Sequence, residues 1–79
     1  MDKDKVLKEF GRNLRAERNR AGLSQDGLAS KAGICAGKHI GKIERGEANP
    51  SIYTVISIMK ILNINFNQLY DLKTADNNF

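Results

Sequence analysis

The chain has 79 residues, of which 41% are hydrophobic and 28% charged, with a formal charge of +4. That length predicts a single domain over residues 1–79, with a core at about 4–72 and a frayed tail at 73–79, and it excludes a second folded module. No run approaches the roughly 18 consecutive apolar residues of a membrane span. Cys35 and His39 are the sole cysteine and histidine, so no disulfide framework and no metal-ligand set can be assembled. So short a chain also leaves little room for a substrate-enclosing cleft, and no enzyme activity, cofactor, catalytic residue or small-molecule ligand is expected. The charged start Asp2-Lys3-Asp4-Lys5 lacks the apolar stretch of a secretory signal, which points to a soluble cytoplasmic protein.

Periodicity reads as helix nearly throughout, so the expected class is all-α. Over residues 4–21, Val6, Leu7, Phe10 and Leu14 recur at spacings of three and four, giving a first helix one apolar stripe that Gly22 ends. A short second helix starts at Ser24, whose hydroxyl suits an N-cap, and stops at Gly33, which permits a positive φ. A third helix is expected over residues 38–45, with Ile40 and Ile43 inward and Lys38, His39, Lys42 and Arg45 more exposed. Residues 47–50 form a loop, and Ser51 after the only proline caps a fourth helix reaching Leu62. Eight of its twelve residues, 51–62, are apolar or aromatic. At about 100° per residue, Ile52, Val55, Ile56, Met59 and Leu62 form a core stripe, and Ile58 and Ile61 are left on another side. A helix apolar beyond one stripe in so small a domain meets a second subunit, so Ile58 and Ile61 are assigned to a dimer interface, with Ile58→Asp predicted to give monomers. Asn65 and Gln68 predict a capping box for a last short helix carrying Phe66, Leu69 and Tyr70, and Phe66 and Tyr70 join the predicted interface.

Charge is distributed unevenly along this pattern. Residues 1–46 hold eleven Lys or Arg against six Asp or Glu, a balance of +5, whereas residues 47–79 balance at −1. The first half is suited to an anionic partner and the second to packing, although a basic balance alone also serves solubility.

A short second and third helix joined by a tight turn suggest a helix-turn-helix from pattern alone. The stretch Gly22-Leu23-Ser24-Gln25-Asp26-Gly27-Leu28-Ala29, then Gly33-Ile34, Ile40-Gly41-Lys42-Ile43-Glu44-Arg45-Gly46 and Asn49-Pro50-Ser51, resembles the lambda-repressor-like (Xre) family over about residues 7–72. The resemblance implies a five-helix domain that binds operator DNA as a dimer, with its third helix in the major groove. Its size is similar to that of controller proteins of restriction-modification systems, small phage repressors and antitoxins. One departure is that the chain is one residue longer than usual between Gly33 and Ile40; the extra residue is placed in the turn at Cys35-Ala36-Gly37, with Cys35 a small half-buried thiol.

Residue roles follow in two ways. Physically, Ser24 and Gln25 stand at a helix N-terminus, where free N–H groups and the dipole favour a phosphate oxygen. Ala36, Gly37, Lys38, His39 and Lys42 are the third-helix residues free to meet base edges, and Lys38 and Lys42 can donate to guanine O6 and N7. His39 fits a phosphate contact or a plain surface histidine, while Arg45 and Asn49 suit backbone contacts. By resemblance, Gln25 matches a position that contacts the DNA backbone, and Arg18 and Glu44 match positions that form an ion pair between the first and third helices. Ser24 as a simple cap and Lys38 as a solvated cation are the alternatives at those positions. The leading function is a homodimeric, sequence-specific regulator on double-stranded DNA. A protein-interaction module such as an antitoxin is the alternative, and RNA binding is disfavoured because the basic half holds only Phe10 as a stacking aromatic.

Overall fold

The computed structural model describes residues 1–34 and 36–73. It is all-helical: α1 spans Lys3–Arg20, α2 Gln25–Ala32, α3 Gly37–Glu44 and α4 Ile52–Leu62, and a single 3-10 turn follows at Phe66–Gln68. The expected fifth helix is therefore only this turn, where the Gln68 side chain accepts from the Asn65 amide at 3.0 Å. The Phe66 carbonyl accepts from both the Leu69 and the Tyr70 amides at 2.9 Å, which closes the chain after one turn, and the position of the turn is secured from outside by Asn13, whose amide donates to the Leu69 carbonyl at 2.7 Å. The expectations for the Cys35 thiol and for the tail from residue 74 fall outside the described residues.

Local chemistry sets the helix ends. Asp2 accepts from the amides of Asp4 and Lys5, Ser24 from Gly27 and Ser51 from Thr54, so three of the four N-termini carry a side-chain cap. The exception is α3, where Ala36 has no side chain able to cap. At Gly33 the backbone turns left-handed, φ 72°, and the amide of Ile34 closes onto the Ala29 carbonyl at 2.8 Å.

The core draws on all four helices and on the two residues that follow the 3-10 turn. Leu14, Leu28, Ile40, Ile43, Ile58 and Leu69 are fully enclosed, and Phe10, Ala29, Val55 and Tyr70 complete the cluster. α3 is the central piece, packing on both α1 and α2, while α4 lies against α2. Here the structure corrects the reading of α4. Of the expected core stripe, Val55 is buried and Met59 and Leu62 pack partly buried against the core, but Ile52 and Ile56 face outward and Thr54 and Ile58 are buried in their place. Ile58 has no exposed surface, and Tyr70 is likewise buried, so neither is available to a second subunit as the chain folds. Ile61 and Phe66 remain at the surface, Phe66 with its ring centroid 6.4 Å from that of Phe10.

Candidate nucleic-acid interface

On α3, the buried side consists of Gly37, Ile40, Gly41, Ile43 and Glu44. Lys38, Lys42 and Arg45, spaced by four and three residues, lie together on the opposite, exposed face. Ala36 is exposed at the start of that face, Asn49 is exposed in the loop beyond it, and His39 is half-buried at its side. Gly37 is the exception among the predicted contacts. It is buried against α2, where a Cβ would fall 2.7 Å from the Asp26 backbone nitrogen. Its role is to let α3 approach α2, and it does not belong to the outer face.

Gly41 serves a related purpose one turn on, facing the side chains of Gln25 and Arg45. Gly11 does so on α1, whose backbone lies against the carbonyls of Ile43 and Glu44. These close approaches bring the N-terminus of α2 beside the exposed face of α3. Inside a helix, Gly37 and Gly41 each cost about 1 kcal/mol relative to alanine. Their presence inside a helix despite that cost was the available signal of close packing.

A buried ion pair locks this arrangement. The Arg18 Nε and Nη2 donate to the two Glu44 oxygens at 2.6 and 3.1 Å, with side chains only 10% and 3% exposed. The remaining polar atoms are also satisfied: Arg18 Nη1 donates to the Leu23 carbonyl at 2.8 Å, and Gln25 Nε2 donates to Glu44 Oε1 at 3.1 Å. The predicted pair is therefore the centre of a network that joins α1, the α1–α2 loop, α2 and α3. Gln25 is half-buried and engaged within the chain, and Ser24, exposed, spends its hydroxyl on the Gly27 amide.

Electrostatics on the outer face differ from the sequence expectation at one point. Arg45 is paired: its Nε and Nη2 donate to Glu47 at 3.0 and 3.3 Å. Hydrogen bonds from Arg45 hold the Glu47 carboxyl below its ordinary pKa, and the same bonds with the Glu47 charge raise the Arg45 guanidinium. Glu47, two residues past Arg45 across a glycine turn, was not singled out from the sequence. Among the described residues no helix is long and apolar enough to cross a membrane, and no three His, Cys, Asp or Glu side chains cluster as a metal site.

Comparison with known proteins agrees with this geometry. The family model described as "Helix-turn-helix" matches residues 14–69, more than half of the chain. No curated protein sequence matches. The high-resolution crystal structure of the restriction-modification controller protein C.AhdI from Aeromonas hydrophila is similar, at 34% identity and a TM-score of 0.75 over 81% of this chain and 96% of that one. The chain belongs to the Xre-type helix-turn-helix family, as an all-α DNA-binding transcriptional regulator and not an enzyme.

Proposed function

We propose that this regulator is sequence-specific and acts as a homodimer on a two-fold symmetric operator, in the manner of a restriction-modification controller or a small repressor. The observation that carries this reading is the division of α3, with Ile40 and Ile43 sealed in the core while Lys38, Lys42 and Arg45 share one exposed face. On that face Lys38 and Lys42 read guanine edges, and Ala36 offers a methyl to a thymine methyl. His39, Arg45 and Asn49 hold phosphates, as do Ser24 through the hydroxyl proton it does not use toward Gly27 and Gln25 through its second amide N–H, which fixes register and supplies salt-dependent affinity. Similarity to C.AhdI, described as a controller protein, supports the controller-like reading and a cytoplasmic site of action.

The homodimer is assigned to the exposed apolar side of α4, where Ile52, Tyr53 and Ile56 are 74%, 68% and 51% exposed. An apolar face of this kind in a small domain is stabilised by a partner surface. The same face suits a foreign protein, as in an antitoxin, and sedimentation of the isolated chain separates the two: a dimer at micromolar concentration supports self-association, and a monomer supports the foreign partner.

Selection from random duplex DNA tests the function, with enriched palindromes as the expected result and an unenriched pool as the result that overturns it. Lys42→Ala should weaken binding to the selected site by about 1–3 kcal/mol while leaving the thermal midpoint unchanged. Unchanged specific binding would show that another part of α3 reads the bases.

A further inference from the structure

Just past the C-terminus of α3, an acid stands beside the cations of its exposed face. Gly46 takes φ 75°, which reverses the chain after α3 and brings the Glu47 amide onto the Lys42 carbonyl at 2.9 Å. That reversal is enforced, because Gly46 also lies against the backbone of Lys8, where a Cβ would come within 3.0 Å of the Lys8 nitrogen. Glu47 is thereby held back beside Arg45. The guanidinium in turn lies over Gly41, its Nη1 3.1 Å from where a Cβ would be, so it runs along the helix surface and not away from it. Two of its donor groups, Nε and Nη2, then meet the carboxylate in the two-pronged geometry that a phosphate would use. Both side chains are 55% exposed and neither supports the core.

We infer that Glu47 is an internal stand-in for phosphate that occupies Arg45 in the free protein and attenuates its contact with the DNA backbone. The inference rests on the DNA-binding face proposed above. For Arg45 to grip a phosphate, the carboxylate must be displaced, and while it stays nearby it repels the incoming anion. The exchange costs affinity on every sequence alike, because phosphates carry no base identity. Glu47 therefore lowers general attraction to DNA and leaves base preference to Lys38 and Lys42, so that a strongly basic face does not hold the regulator on unrelated DNA.

The test is a set of titrations by fluorescence anisotropy, with the full chain, on one unrelated duplex and one selected duplex over a range of salt. Glu47→Gln should tighten binding to both duplexes about two- to fivefold, the size expected for freeing one exposed pair. It should also steepen the dependence of log affinity on log salt by up to about 0.9, the increment for one more phosphate neutralised. In an Arg45→Ala background the gain from Glu47→Gln should largely vanish. An equal gain with and without Arg45 would overturn the inference, showing Glu47 to be one acid in a general field, and no gain in either background would overturn it as well. If the unaltered chain binds no duplex, the DNA-binding reading falls and takes the inference with it. Binding without a gain removes the inference alone.

Discussion

At the scale of single residues, the helix-turn-helix is set by atoms that are missing. Gly37 begins α3 directly against Asp26, and no side chain can be added there without moving backbone. Gly37→Ala sets two effects against each other: about 1 kcal/mol gained in helix propensity, and about 1–3 kcal/mol lost to overpacking against an unyielding main chain. The loss prevails, so urea denaturation should find the variant less stable, and a more stable variant would show that α2 can retreat freely. The Arg18–Glu44 pair is governed by a similar asymmetry. Intact, its net contribution is small, because desolvating both charges offsets most of their attraction. Removing one partner leaves the other buried and alone. Glu44→Ala should therefore cost about 3–5 kcal/mol in denaturant melts, whereas Glu44→Gln, which can still accept from Arg18, should cost clearly less. Equal losses for the two variants would mean that charge, and not the hydrogen-bond network, holds α1 to α3.

The element that decides assembly is α4, and it is also where periodicity had least to say. With eight of twelve residues apolar or aromatic over 51–62, the stripe through Ile52 and Ile56 and the stripe through Ile58 are equally plausible inward faces. Docking against α2 decides between them, helped by a polar residue. Thr54 can turn inward because Ser51 Oγ meets both its amide and its hydroxyl at 3.1 Å, so its burial leaves nothing unpaired. Two aspartates separate the faces experimentally. Ile58→Asp places a carboxylate in the core and should prevent stable folding, seen as loss of a cooperative melt. Ile56→Asp should leave the fold intact while shifting sedimentation from dimer to monomer and weakening operator binding at least tenfold. A dimeric Ile56→Asp would move the interface elsewhere. By contrast, the boundaries of α1, α2 and α4 were legible in the sequence, because Ser24, Ser51, Gly22 and Gly33 act locally on backbone groups within a few residues. The burial of Ile40 and Ile43, and the Arg18–Glu44 pair implied by the resemblance, were legible as well. The close approaches at Gly11 and Gly37, and the pairing of Arg45 with Glu47, depend on how elements cross or how a turn folds back, and spacing along the chain does not encode that.

For the whole molecule, reach decides which operators fit. The body measures 37 × 22 × 20 Å, and α2 packs on both α3 and α4, so the DNA-reading face and the proposed dimer face move as one piece. In the proposed homodimer the two α3 helices are then held at a fixed separation, which for a two-fold operator is about 34 Å, one turn of the duplex. A regulator with a flexible tether between reading head and dimer unit would tolerate a second full turn between half-sites. This one cannot, because a separation of roughly 68 Å would put each α3 about 34 Å from the contact, nearly the full 37 Å length of the body, whereas α3 packs between α1 and α2 well inside it. Inserting five base pairs at the centre of the selected operator rotates one half-site to the far side of the duplex, and inserting ten restores the phase while doubling the distance. Both insertions should reduce affinity to that of a single half-site, measured by anisotropy on matched duplexes. Recovery with ten base pairs but not with five would require a hinge between α4 and α3, and the core formed jointly by Ile40, Ile43, Val55 and Ile58 leaves no room for one.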